Sequence, residues 1–365
     1  MRYKLSDCVT IISGGTPKKS QESYWNGNIP WITVKDFNGK YVSTTTDSIT
    51  LEGLKHSSAN LTEDQDILIS ARGTVGKVLM VGAGYTFNQS IYCLRADRSV
   101  LVPDYLFYWL EKNVSLVKQG THGSVFETIT KDTFDHLTID LPDIEEQKKI
   151  AHKLSMFDRK INLNEQINDN LLELTSNAVK DFVDSHNNMR RTNIYHYCDI
   201  QYGAPYKSKL FNDKAVGLPL IRIRDLRSGE PLYYTEEITG RDIIVNTGDL
   251  LIGMDAEFRP ALWKGSKSKL NQRVLKVVPK KEITNIFLLN ILNPYMLFLE
   301  NSKTGTTVIH LGKKDLDSIS LPLFSENDLI EFNKKLLPQN LYISNLFEET
   351  RKLDKLKNIL VREYF

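Results

Sequence analysis

Two long stretches of the chain place apolar residues at a helical rhythm. In the first, Ile150, Leu154, Phe157, Ile161, Ile167, Leu171, Leu174 and Ala178 form one stripe between charged and amide residues. In the second, Leu329, Phe332, Leu336, Ile343, Leu346, Leu353 and Leu360 do the same. Steps of mostly three or four residues put each stripe on one face of a helix. So narrow a stripe cannot build a core alone, and the economical solution packs the two helices together as an antiparallel coiled coil. Each would span about 57 Å, at ~1.5 Å per residue over ~38 residues. Pro338 removes a backbone donor and predicts a kink near the first third of the second helix. Ahead of the first helix, residues 31–34, 67–70 and 78–81 are β-branched or apolar runs bounded by Gly, Asp and Asn, which read as short strands. Residues 103–117 read as a helix through Leu106, Trp109, Leu110, Val114 and Val117, echoed at 286–299. Each globular part is therefore mixed α and β.

The echo extends along the whole chain. Ile12-Ser13-Gly14-Gly15-Thr16-Pro17-Lys18-Lys19 returns as Ile200-Gln201-Tyr202-Gly203-Ala204-Pro205-Tyr206-Lys207. Pro30 and Asp36 return as Pro219 and Asp225, both 189 residues later. Asp66-Ile67-Leu68-Ile69 returns as Asp249-Leu250-Leu251-Ile252, and Asn88-Gln89 as Asn271-Gln272, both 183 residues later. Leu141-Pro142 and Leu321-Pro322 each precede a long helix. Matched blocks in one order mark a duplication, the first thing to seek in a sequence. The fold class is α+β, with a globule at 1–143, a long helix at 144–183, a second globule at 184–322 and a second long helix at 323–365. Such a chain reads as a ruler with a reading head at each end.

Composition narrows the class. Of 365 residues, 41% are hydrophobic and 25% charged, the balance of an ordinary folded protein. Forty-seven basic against 45 acidic residues exclude a uniformly basic DNA-coating protein, but not local basic patches. Residues 184–322 carry 20 Lys/Arg against 15 Asp/Glu, so the second globule has the clearer basic footprint. Cys8, Cys93 and Cys198 are too scattered for a disulfide framework or a zinc site. Met1 to Asp7 lack the apolar core of a signal peptide, and the apolar stretch 286–299 is too short for a membrane span. A cytoplasmic protein without a membrane partner is expected.

No catalytic signature stands. Arg72-Gly73-Thr74-Val75-Gly76-Lys77-Val78 lacks the earlier glycine and the Ser or Thr of a phosphate loop. Asn293-Pro294-Tyr295 lacks one proline of the amino-methyltransferase tetrapeptide and sits in a helical stretch. Asp143, Glu145, Glu146 and Lys148 loosely resemble a metal-nuclease set. Acids in a first helical turn, favoured by the helix dipole, explain them better. The seven histidines show no metal-ligand spacing, and His122 and His310 lie by Gly/Thr-rich loops at 120–124 and 304–307 as solvated loop residues.

What remains suits nucleic acid. Base edges are read by Arg, Lys, Asn and Gln, and phosphates are held by Lys, Arg, Ser and Thr. The first globule offers Thr16, Lys18, Lys19, Lys35, Arg72, Lys77, Asn88 and Gln89 in matched loops. The second offers Lys207, Lys209, Arg222, Arg224, Arg259, Lys264, Lys267, Lys269, Asn271, Gln272 and Arg273.

The order of Gly15-Thr16-Pro17, Trp31-Ile32-x-x-x-Asp36, Asp66-Ile67-Leu68-Ile69-x-x-Arg72-Gly73 and Leu141-Pro142-x-x-x-Glu146-Gln147-x-x-Ile150-Ala151, echoed in the second half, resembles the specificity subunit (HsdS) of type I restriction–modification systems. The resemblance covers essentially the whole chain. It implies two target-recognition domains, each reading half of a split sequence in double-stranded DNA. It also implies that the coiled coil docks two methyltransferase subunits, with Glu146, Gln147, Ile150 and Glu326 as docking candidates. Two motor–nuclease subunits would complete the restriction enzyme. The chain itself would carry no catalysis, no metal and no cofactor; S-adenosylmethionine, ATP and magnesium would belong to the partners. Glu326-Asn327 replaces Glu146-Gln147, and Gly253-Met254-Asp255 replaces Ala71-Arg72-Gly73, so docking and base choice should differ between the halves. Two other readings remain open at this point. One is a stand-alone DNA nuclease or methyltransferase with unrecognised motifs. The other is a decoy or orphan protein–protein adaptor.

Overall fold

The structure is a computed structural model that describes residues 1–42, 44–119, 128–186, 190–280, 282–302 and 309–365. His122 and the loops at 120–124 and 304–307 lie outside the described residues. The chain forms two compact units: Met1–Arg159 with Lys355–Phe365, and Lys160–Asp354.

In the first unit the order is β1 (Arg2–Lys4), α1 (Leu5–Cys8), β2 (Val9–Ser13), β3 (Trp25–Ile32), β4 (Asp47–Ile49), α2 (Leu51–Lys55), β5 (Asp66–Ser70), β6 (Val78–Val81), β7 (Thr86–Phe87), β8 (Ile91–Ala96), α3 (Pro103–Gln119), α4 (Lys131–Asp135) and β9 (Thr138–Asp140), followed by the long helix α5 (Ile144–Asp184). The sheets are ordered β2-β8-β5-β6, β4-β3-β7 and β1-β9. β5 is buried along its whole length. Side chains alternate faces along a strand. Ile67 and Ile69 therefore join the cluster with Leu94, Leu106 and Leu110, while Leu68 joins Ile32, Phe37 and Phe87 on the other face. Two covered faces explain why β5 reads as an unbroken apolar run. The strand expected at 31–34 ends at Ile32, because Val34–Asp36 closes a tight turn capped by its own Asp36.

The second unit repeats this plan. Its elements are β10 (Arg191–Asn193), β11 (Cys198–Tyr202), β12 (Leu218–Ile221), β13 (Tyr234–Thr235), β14 (Ile244–Val245), β15 (Leu250–Gly253), β16 (Pro260–Leu262), β17 (Ser268–Leu270), β18 (Val274–Pro279), α6 (Asn285–Ser302), α7 (Lys313–Asp317), β19 (Ser320–Pro322) and α8 (Glu326–Tyr364). The sheet β11-β18-β15-β16 matches β2-β8-β5-β6 strand for strand, and β10-β19 matches β1-β9. Leu250 and Ile252 face one cluster and Leu251 the other, as Ile67, Ile69 and Leu68 do.

Within each unit α5 and α8 run antiparallel. In the first unit Lys153 donates to the Tyr364 hydroxyl at 3.0 Å, and Lys357 pairs with Asp158 at 2.8 Å. In the second, Asn164 donates to Glu349 at 2.9 Å and Phe182 stacks on Phe332 at 4.1 Å. Falling α8 numbers against rising α5 numbers fix the direction. α8 is one helix from Glu326 to Tyr364 with Pro338 inside it. Among the described residues no helix is long and apolar enough to cross a membrane, and no three His, Cys, Asp or Glu side chains are grouped to hold a metal.

Candidate nucleic-acid interface

In the first unit the turn at Asn88–Ser90 ties four segments together through the backbone. Gly14 N–H donates to Ile91 O at 3.3 Å and Gly15 N–H to Phe87 O at 2.9 Å. Asn88 N–H donates to Ile32 O at 3.0 Å, and Ala71 N–H to Ser90 O at 2.7 Å. The second unit repeats all four bonds. Gly203 N–H donates to Val274 O at 3.1 Å, Ala204 N–H to Leu270 O at 2.9 Å, Asn271 N–H to Ile221 O at 3.1 Å and Met254 N–H to Arg273 O at 3.0 Å. The glycines are required by this closeness. A Cβ on Gly14 would stand 2.0 Å from Asn88 O, and one on Gly203 2.1 Å from Asn271 O. These bonds correct the sequence pairing by one residue: Ala71 corresponds to Met254 and Arg72 to Asp255, not to Met254.

The carboxylates that begin the matched strands are also conserved in role. Asp66 Oδ2 accepts Glu63 N–H at 2.7 Å, and Asp249 Oδ2 accepts Asn246 N–H at 2.7 Å. Asp66 is neutralised by Arg95 at 2.8 Å, whereas Asp249 is neutralised by Lys276 at 2.6 Å. Asp36 and Asp225 close the turns after β3 and β12 by accepting the N–H groups of Thr33 and Arg222, at 2.7 and 2.9 Å. Their titration differs. Burial pushes the Asp36 carboxyl up, but hydrogen bonds from Thr33 and Thr46 outweigh it and hold it below the usual carboxylate range. At Asp225 burial prevails over the Arg222 amide and the Arg224 guanidinium, and the carboxyl stays above that range.

The frame carries different side chains in the two units. On the first, Lys18, Lys19, Lys35, Arg72, Lys77 and Gln89 are exposed, while Thr16 and Asn88 are half-buried. The Thr16 hydroxyl donates to Gln89 Oε1, Asn88 Oδ1 accepts Ser90 N–H at 3.0 Å, and Lys77 reaches Phe37 O at 3.4 Å. On the second, Lys207, Lys209, Arg224, Arg259, Lys264, Lys267, Gln272 and Arg273 are exposed, with Arg222 and Asn271 half-buried. Arg222 lies over the Tyr233 ring, and Arg259 stands 3.6 Å from Glu300. Thr16 with Asn88 and Gln89, and Asn271 with Gln272 and Arg273, are thus gathered at the hydrogen-bonded frames. Arg259, Lys264 and Arg224 instead line a cavity of about 660 Å³ with an apolar floor that includes Leu226, Leu262 and Phe347. Lys269 is a correction. It is buried, lies over the Tyr206 ring, donates to Glu237 O and stands 4.0 Å from Asp242, so its ammonium serves the interior.

The family profile described as "Type I restriction modification DNA specificity domain" matches residues 1–173 and 196–328. The chain belongs to this family. Its members are specificity subunits, the recognition and non-catalytic components of restriction–modification complexes. The type I restriction enzyme MjaIX specificity subunit of Methanocaldococcus jannaschii is 32% identical over 188 residues, which are 49% of this chain and 43% of that subunit. The chain therefore aligns with less than half the length of that relative. The MjaVIII specificity subunit of the same organism is 24% identical over 96% of this chain and 87% of its own. The crystal structure of the type I restriction-modification system S subunit from M. genitalium superposes with a TM-score of 0.61, at 14% identity, over 100% of this chain and 96% of that one. That likeness concerns the fold.

Two docking candidates of this chain are internal. Gln147 is buried; its Oε1 accepts Val102 N–H at 2.9 Å, and its Nε2 donates to Val100 O and Pro142 O, both at 3.0 Å. It fastens α5 to the entry of α3. Ile150 is buried in the apolar core of the first unit. Glu146 and Glu326 are exposed. The second unit fastens α8 through Asn333, whose Oδ1 accepts Thr284 N–H at 2.8 Å ahead of α6. Asn333 lies six residues beyond the Asn327 that sequence pairing offered, so only the fold reveals it. Asp143 accepts Glu146 N–H at 2.8 Å, which makes the acidic run after Pro142 a helix cap.

Two further groups were missed. Lys40 is nearly buried and bonds Asp104 at 2.6 Å and the Tyr108 hydroxyl at 2.9 Å, with Asp158 at 3.8 Å. His310, expected as a solvated loop histidine, is instead held by Asp255 at 2.7 Å. A histidine or lysine far from its partner in sequence carries no spacing signal.

Proposed function

We propose that this chain is the DNA-reading subunit of a type I restriction–modification complex and that each unit reads one half of a split, asymmetric site. The observation that carries this reading is the repeated four-bond frame with unlike side chains on it. A shared backbone scaffold presenting Arg, Lys, Asn and Gln in different patterns suits two heads reading different bases. Half-site centres about one helical turn apart, ~10 bp, are expected of a two-headed reader. The helices α5 and α8 set the spacing and dock methyltransferase subunits, with Glu146 and Glu326 as exposed candidate contacts. S-adenosylmethionine, ATP and magnesium act on the methyltransferase and motor–nuclease partners, and the assembly works in the cytoplasm.

The test is footprinting of the full chain, assembled with its cognate methyltransferase, over a salt series. Two protected patches separated by an unprotected spacer, with affinity falling steeply as salt rises, are expected. One short contiguous patch would contradict the two-headed reading. Salt-insensitive partner binding without DNA affinity would favour an adaptor, and turnover by the chain alone would favour an enzyme.

A further inference from the structure

The two hydrogen-bonded frames correspond bond by bond, so their chemical differences can be read directly. Arg72 of the first unit corresponds to Asp255, and Ser90 corresponds to Arg273. In the second unit the guanidinium has thus moved from one loop to the neighbouring turn, and a carboxylate stands where it was. That carboxylate stands in ion-pair range of the new guanidinium. Asp255 Oδ1 lies 3.5 Å from Arg273 Nη1 and 2.7 Å from His310 Nδ1. His310 Nδ1 also lies 3.3 Å from Arg273 Nη1, so one ring nitrogen meets both the carboxylate and the guanidinium.

The three residues are fixed through their backbones as well. Asp255 and His310 face each other across an antiparallel bridge, closed by Leu311 N–H to Met254 O at 2.7 Å and Ala256 N–H to Ile309 O at 3.1 Å. Arg273 O accepts Met254 N–H at 3.0 Å, and Val274 N–H closes the turn onto Asn271 O at 3.0 Å. Arg273 nevertheless keeps 53% of its side chain exposed, against 26% for Asp255. A backbone-fixed carboxylate beside an exposed guanidinium narrows its rotamers before binding and leaves other N–H donors to face outward.

We propose that Arg273 reads a guanine in the major groove and that Asp255 is its positioning residue. The proposal deepens the DNA-recognition reading and rests on it. Guanine presents two acceptors there, N7 and O6, which match two guanidinium donors. Adenine places an amino donor at the second position and would meet a like donor. Asn271 and Gln272 adjoin Arg273 in the same turn and are the side-chain types that read adenine, so the turn is composed as a reading element.

The test uses the full chain with its methyltransferase and duplexes carrying the recognised site, in which each guanine in turn is replaced by 7-deazaguanine. The wild type is expected to lose about 10- to 100-fold in affinity at one guanine of one half-site. Arg273→Ala should lose a similar factor on the native duplex and become insensitive to that replacement, with sensitivity in the other half-site unchanged. Asp255→Asn should weaken discrimination at the same guanine while the salt slope stays the same, and Asp255→Glu should restore part of it. Intact 7-deazaguanine sensitivity in Arg273→Ala would overturn this assignment alone. A wild-type complex without any split-site preference would overturn the DNA-recognition reading and this one with it. Loss of discrimination in both half-sites would mark a folding defect and overturn the positioning role.

Discussion

Gly14 and Gly203 sit where two loops approach more closely than any side chain permits. Gly14→Ala or Gly203→Ala should therefore destabilise the affected unit by about 2–4 kcal/mol, read as a lower unfolding midpoint. The paired aspartates give a second residue-scale expectation. A carboxyl held low in the folded state adds stability that is present above its ordinary value of 3.8 and lost as pH falls through the lowered one. A carboxyl held high does the reverse: the cost sets in as pH rises from 3.8 through the raised value. Asp36→Asn should thus cost about 2 kcal/mol at pH 7 and much less near pH 3. Asp225→Asn should be better tolerated at pH 7 than near pH 3. Denaturant midpoints at both pH values check the pair; equal losses would contradict the opposite shifts. Spacing made these glycines and aspartates visible in the sequence. It could not show that Lys269, Gln147 and Ile150 face inward, because residue type alone does not say which partner waits in the fold.

At the scale of elements, the long helices announce themselves by their period, and their ends by Leu-Pro and the capping Asp143. Their mutual contacts are less apolar than the stripes suggest. Asn164, Asn168 and Thr175 are buried on α5. Asn164 reaches Glu349 across the pair, which suits polar residues that fix register more than they add stability. In the first unit the helices also meet a buried charge group. Lys40 joins Asp104 and Tyr108 of α3, and Asp158 of α5 binds Lys357 of α8. Removing one partner leaves the other charges buried without compensation. Lys40→Met should cost about 3 kcal/mol, and Lys40→Met with Asp104→Leu should recover part of it in denaturant unfolding. The last turns of α8 complete the same core through Val361 and through Phe365, whose ring meets Tyr105 at 4.8 Å. No sequence period reports such a contact, since it joins residues about 260 apart.

At the scale of the whole chain, the duplication was legible because each copy had to preserve the same close backbone approaches while its surface diverged. That is why Asn88-Gln89 still aligns with Asn271-Gln272, and why Arg72 and Asp255 do not match in chemistry. The same divergence is why the sequence left the reading residues as a broad set of cations and amides. The backbone hydrogen bonds then established that Arg72 corresponds to Asp255. The claim that two unlike heads read one split site is tested most directly by mapping methylated bases genome-wide. The comparison is a host carrying this chain with a cognate type I methyltransferase against the same host lacking only this chain. Loss of one bipartite, asymmetric motif, with half-site centres about 10 bp apart, is the expected result. An unchanged set of methylated motifs would contradict it.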